Sequence, residues 1–173
     1  MRFFTMEQDK NLPDMIELRD FDICGPRHIF YKKDAENINE STALYLSQKG
    51  GECTPDFIQS PIPMVSDRVK KVLDMYEDDM IFKSVVLISK ERKAILPFHA
   101  LLLDDMDMFS EKTEFYANGS IKRLVLDSGK IGEHHIFLLN DKRFRNPFVS
   151  LEIVESLLRK NVTGIIWQEV EVA

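Results

Sequence analysis

The run Leu101-Leu102-Leu103-Asp104-Asp105-Met106-Asp107 sets three carboxylates directly behind an apolar stretch. Spaced carboxylates at a strand end are donors that a hard cation such as Mg²⁺ takes. The same groups can serve in acid–base chemistry. The parts that complete such sites are missing nearby: no glycine marks the middle of a calcium-type loop, and no later glutamate follows at the expected spacing. The plainer reading makes Asp104, Asp105 and Asp107 strand-ending residues that accept hydrogen bonds from loop amides. A second acidic run, Glu77-Asp78-Asp79, follows a helical stretch. Carboxylates there oppose the helix macrodipole, at a cost on the order of tenths of a kcal/mol each. They are read as solvated past the helix end or as charge presented to a partner. These six acidic residues form the candidate contact surface.

The other reactive residue types point elsewhere. His134-His135 resembles a metal pair, but adjacent side chains on a strand leave on opposite faces and do not share an ion readily. His99, within Pro97-Phe98-His99-Ala100-Leu101, is read as satisfying a local hydrogen bond. Cys24 and Cys53 are too few and too far apart for a disulfide framework or a zinc site, and read as buried small side chains in a reduced setting. Lys142, Arg143 and Arg145 make a small basic loop, read as a counter-patch within the fold. No phosphate-cradling or dinucleotide glycine loop, no GxSxG and no HExxH occurs. No catalytic residue, cofactor or metal site is therefore expected.

The elements that position these residues are organised around a repeat. Residues 63–88, PMVSDRVKKVLDMYEDDMIFKSVVLI, and 147–172, PFVSLEIVESLLRKNVTGIIWQEVEV, share Pro, Val, Ser, a central Leu, Ile and Val at equal offsets. In the first copy Ser66 is placed to cap a helix with Val69, Val72, Leu73 and Tyr76 on one face. Ile81–Ile88 then reads as a strand, apolar on the side of Phe82, Val86 and Ile88. In the second, Ser150 caps, Ile153, Val154, Leu157 and Leu158 form the stripe, Arg159 and Lys160 suit the last turn, and Gly164 precedes a strand over 165–172. Each helix needs a sheet to cover it, and one shared sheet of five to seven strands is expected.

Between the copies, VVLIS-KERK-AILPFHALLL reads as a hairpin with a charged tip, and Asn118-Gly119 marks another because both residues tolerate positive φ. HIFLL (135–139) reads as a buried strand behind the turn-like DSGKIGE. Residues 1–60 are the irregular part, with a first strand at RFFTM and a Gly-Gly turn at 50–51. The expected fold is α+β: a mostly antiparallel sheet with two principal helices, built around two helix-then-strand units. The chain is read as one domain over 1–173, with a variable N-terminal part (1–60) before the core (61–173).

Composition narrows the function class. Hydrophobic residues make up 44% and charged residues 30%, ordinary for a globular protein. No apolar run approaches the ~18 residues of a membrane span, and no signal peptide is read at the start. A cytoplasmic setting is expected. The net charge of −6 argues against nonspecific nucleic-acid binding, which needs a cationic face. Residues 1–60 carry seven basic and eleven acidic groups, 61–110 seven and nine, and 111–173 nine of each. The excess acid sits in the first two-thirds, where it favours a basic partner or serves solubility.

Five segments, PMVSDRVKKVL, LLLDDMDMFS, IKRLVLD, HIFLLND and PFVSLEIVESLLRKNVTGIIWQEV, together resemble immunity family eleven (domain of unknown function 1629) of bacterial polymorphic toxin systems. The resemblance runs from about Pro61 to the end and leaves residues 1–60 unmatched. Where the family pattern reads Ile-Phe-Arg-Leu, this chain has Ile136-Phe137-Leu138-Leu139, without the basic residue. What the resemblance implies is a non-enzymatic cytoplasmic antidote that binds and inactivates a cognate toxin domain, with no catalytic residues to carry over. A basic toxin, such as a nuclease, would suit the charge. The alternative expectation is a general interaction module, or a small-ligand or metal-binding protein using Asp104–Asp107.

Overall fold

The structure is a computed structural model and describes residues 1–19 and 31–173. Strand β1 (Phe3–Gln8) comes first; a 3-10 helix over Lys32–Asn37 leads to β2 (Ser41–Tyr45) and β3 (Phe57–Ile58). The first repeat copy follows as β4 (Met64–Ser66), α1 (Asp67–Leu73) and β5 (Ile81–Ser89), continued by β6 (Ala94–Leu102). The middle holds β7 (Asp105–Met106), β8 (Glu114–Phe115), β9 (Ile121–Arg123), β10 (Val125–Leu126), the short α2 (Ser128–Ile131) and β11 (Ile136–Leu139). The second copy closes the chain as β12 (Phe148–Ser150), α3 (Leu151–Arg159) and β13 (Ile165–Val172).

The fold is α+β and mostly antiparallel, but the expected single sheet is two. One has the order β2-β5-β6-β4-β3 and the other β10-β13-β1-β12-β11-β7, with β8-β9 as a separate hairpin. Two sheets arise because each repeat copy recruits its own neighbours. Read from β3, the first sheet runs β3-β4-β6-β5-β2, with three antiparallel pairings and then a parallel one. Read from β11, the second runs β11-β12-β1-β13-β10, with the same senses in the same order. The sheets are thus built alike, and β1 stands where β6 stands in the first. Ser66 lies opposite Phe98, which lies opposite Val85; Ser150 lies opposite Phe3, which lies opposite Val170. The repeat is therefore structural, and strand β1 completes its second copy.

Helices α1 and α3 pack against each other over a shared core that includes Val69, Val72, Leu73, Ile153, Val154 and Leu157. Val69, Val72 and Leu73 are buried as expected, while Tyr76 lies past the end of α1 and is half-buried. On α3, Leu158 departs from the expected stripe and is 54% exposed, since α1 covers only the side bearing Ile153, Val154 and Leu157. Ser66 caps α1 by accepting from the Val69 amide at 3.4 Å. Ser150 makes no such bond; its hydroxyl is held by His135. Phe3, Phe137 and Phe148 are fully buried in a third cluster, each contributing about 1.5–3 kcal/mol.

Several local expectations are corrected. The buried side of β5 is Lys83, Val85, Leu87 and Ser89, and Phe82, Val86 and Ile88 are half-buried on the other face. DSGKIGE folds as α2, because Asp127 accepts from the amides of Gly129 and Lys130 and closes a helical turn. In the β8–β9 hairpin only Gly119 takes a positive φ, +78°. Cys53 is half-buried, and Cys24 lies outside the described residues.

Candidate functional site

The two acidic runs, some thirty positions apart in sequence, meet on one surface. Asp104 ends the connection from β6 and Asp79 ends the connection from α1; the ammonium of Lys32, from the 3-10 helix, bridges them, at 3.1 Å from Asp104. Lys33 donates to Asp105 at 2.7 Å, and Lys130 of α2 to Asp107 at 3.2 Å. The carboxylates next to Lys32 and Lys33 raise both lysine pKa values, chiefly through the hydrogen bonds the lysines donate to Asp79 and Asp105. Asp104 and Asp105 were expected to accept loop amides; they meet lysine side chains instead. Asp105 is not in a loop at all, because it pairs with Leu138 in β7. Asp107 does accept from the Phe109 amide, at 3.4 Å. Glu77 turns inward, its Oε2 3.5 Å from the His135 amide and 3.7 Å from His134 Nδ1, while Asp78 faces solvent.

Glu77, Asp79 and Asp104 therefore gather at the β6–β7 turn, the end of α1 and the start of β11, with Asp105 next to them through the neighbouring Lys33, while Asp107 is drawn to Lys130 of α2. Their lysine partners carry no sequence signal, because Lys32 and Lys33 lie 72 positions from Asp104 and Asp105. Between them lies a hollow of about 30 Å³, lined by Glu77, Asp79, Leu103, Asp104 and His134 among others. That is room for about one water molecule. Among the described residues no group of three or more His, Cys, Asp or Glu is placed to hold a metal ion. The lysine nitrogens stand where a cation would, so the geometry favours an internally neutralised polar surface over a metal centre.

A second constellation joins the two sheets. Asp56, only 3% exposed, accepts from the Ser66 hydroxyl at 2.6 Å and from the Thr163 amide at 2.7 Å, and Arg68 approaches at 3.3 Å. In the other sheet His135 stands where Asp56 stands, one residue before the strand that pairs with the capping serine's strand. Its Nδ1 is 2.9 Å from the Ser150 hydroxyl, and its ring packs on Tyr76 at 5.3 Å. A serine beside a histidine at a helix start has the outline of a nucleophile and base. Ser150 is fully buried, however, and its counterpart Ser66 pairs with a carboxylate in the same way, so both are structural ties. Asp56 reaches across to the α3–β13 connection, and His135 to the α1–β5 connection beside Glu77.

His99 meets its expected local partner in Asp67, on the first turn of α1, and this bond lowers the Asp67 pKa. Arg143 of the basic loop donates to Asp141 and to the Gly119 carbonyl, as a counter-patch within the fold does. A larger hollow of about 410 Å³, lined by Gln8, residues 15–19, Pro55, Ile58, Ser60 and Pro61, is open and mixed in character, with Gln8, Glu17, Arg19 and Ser60 as its polar residues. No described helix is long and apolar enough to cross a membrane. No family model matches the chain, and no curated protein matches it. The fold and site define an α+β protein with paired, like-built sheets and a lysine-tethered acidic surface.

Proposed function

We propose that this chain is a non-enzymatic cytoplasmic immunity protein that binds a cognate bacterial toxin domain and neutralises it. The observation that carries the reading is where the resembling segments fall. They lie on β4–α1, the β6–β7 turn, β9–β10, β11 and β12–α3–β13, which takes in every strand of the six-stranded sheet but β1, together with β4 and the end of β6 from the other. A likeness in order and spacing of scattered short segments is what a shared framework leaves in sequence. On such a framework the work is done by exterior surface, on the order of 800 Å² per partner in a stable complex. The acidic residues around Lys32 suit that role because salt links hold them in place before a partner arrives, which lowers the ordering cost of binding. Asp78, Asp79 and Asp107 are the exposed carboxylates a basic toxin would meet first.

Co-expression with the C-terminal domain of a toxin encoded beside the gene tests the reading by growth rescue. Rescue is the expected result; continued killing in the presence of folded, soluble protein sinks it. The triple variant Asp104→Asn, Asp105→Asn, Asp107→Asn weakens rescue if these residues touch the toxin. Unchanged rescue with a stable variant removes them from the interface.

A further inference from the structure

We infer that the outer face of the five-stranded sheet, on the α1 side, docks a short acidic protein segment that carries apolar side chains. Strand register lines up two adjacent rows there: Tyr45–Ile88–Ile95 and Ala43–Val86–Pro97. Helix α1 covers this face only at its other end, over Phe82 and His99. Ile95 is left 68% exposed and Tyr45 41%, with Ala43 and Pro97 also exposed.

The fold does not require this face to be apolar. In the six-stranded sheet Phe3 stands where Phe98 stands, so Arg2 and Glu171 take the places of Pro97 and Val86. That sheet fills the region with ion pairs: Arg2 grips Glu169 at 2.6 and 2.8 Å, and Arg123 grips Glu171 at 2.9 Å through Nε. One sheet thus wets the position with charge and its counterpart leaves it apolar.

Two observations select the occupant. Three strands about 4.8 Å apart and two side-chain rows about 7 Å apart give an area on the order of 200 Å². That is about a quarter of what each partner of a stable dimer covers, so the strip suits a single extended segment better than a second copy. One end, the β5–β6 tip, is cationic in a chain of net charge −6. Lys90 lies 4.8 Å over the Tyr45 ring and Lys93 precedes Ile95 by two residues at the β5–β6 tip, whereas at the α1 end Lys70, 4.7 Å over Phe82, is paired with Asp74 at 2.6 Å. Lysines at the tip of an apolar strip match carboxylates next to apolar side chains.

The inference rests on reading the chain as a binder of other proteins, and is independent of that protein being a toxin. The probes are two fluorescein-labelled octapeptides, alternating Leu–Glu and alternating Leu–Lys, titrated by fluorescence anisotropy. The Leu–Glu peptide should bind at least tenfold more tightly than the Leu–Lys peptide. Ile95→Ser should weaken it about tenfold, and the double variant Lys90→Glu, Lys93→Glu should reverse the preference, with thermal midpoints unchanged because all three residues are exposed. Equal binding of the two peptides, no binding of either, or binding that survives Ile95→Ser overturns the inference. So does a dimer in light scattering that Ile95→Ser dissolves, which would assign the strip to a second copy. Rescue from the toxin with peptide binding absent removes this surface alone; peptide binding with no rescue removes the toxin reading alone.

Discussion

Replacing Asp56 with alanine tests whether the two sheets are tied by its carboxylate. The backbone bonds at this position survive: the Asp56 amide still donates to the Thr163 carbonyl at 2.8 Å, and the Ser66 amide to the Asp56 carbonyl at 2.9 Å. What is lost is the acceptor of two half-buried donors, the Ser66 hydroxyl and the Thr163 amide. Each stranded donor costs about 1–3 kcal/mol. The hydroxyl can turn, Thr163 lies at the surface and Arg68 is free to swing into water, so the bottom of that range applies to each and the sum is about 2 kcal/mol. Asp56→Asn should cost only about 1 kcal/mol, because its oxygen can still accept from Thr163 while its amide donates to Ser66. Trp167, the single tryptophan, lies on β13 beyond the tie and reports urea unfolding by fluorescence. An unchanged slope with a lowered midpoint would mark a loss of stability rather than a changed unfolded state. Combining Asp56→Ala with Ser66→Ala should cost less than the sum of the singles, since both remove one bond. Equal costs for Asp56→Ala and Asp56→Asn, or less than about 1 kcal/mol for the alanine variant, would refute the tie.

Other predictions follow from the same geometry. Gly164 has φ of +76°, and a Cβ there would lie 2.3 Å from Pro55 Cβ; Gly164→Ala should cost at least about 1–2 kcal/mol in urea unfolding. Phe3→Ala empties a fully buried site against Phe137, and should cost about 3–5 kcal/mol in one cooperative transition, because β1 is interior to its sheet. The hydrogen bond from Arg143 lowers the Asp141 pKa, so the folded state holds its proton less readily than the unfolded chain. That stability is present above the ordinary carboxylate range and is lost as pH falls through the folded pKa. Asp141→Asn should flatten the fall of thermal midpoint below about pH 4, and an unchanged acid profile would count against the pairing.

How much of this was legible can be judged residue by residue. Ser66, Val69, Val72 and Leu73 announced α1 because capping and helical spacing are local, and Gly119 announced the β8–β9 turn for the same reason. The inner face of β5 was misread because Val85-Val86-Leu87-Ile88 is apolar on both faces, so a period of two has nothing to count. Equal offsets also set Val86 against Val170, whereas register sets Val85 there. One residue of slip between helix and strand reverses every side chain. The acidic runs were visible, yet their meeting was not, since Lys32 and Lys33 come from a distant segment of unremarkable composition. The second sheet stayed hidden because its missing strand was β1, at the other end of the chain.

That placement of β1 bears on how the protein is made. The first sheet draws β2 to β6 from one contiguous stretch, so its strands can pair soon after leaving the ribosome. In the other sheet Arg2 must find Glu169, 167 positions later, and β1 has no flanking strands until β12 and β13 have been synthesised. Contacts of such long separation form slowly. Until those strands exist an apolar ribbon carrying Phe3, Phe4 and Met6 waits unpaired, and the nascent chain should engage chaperones through β1.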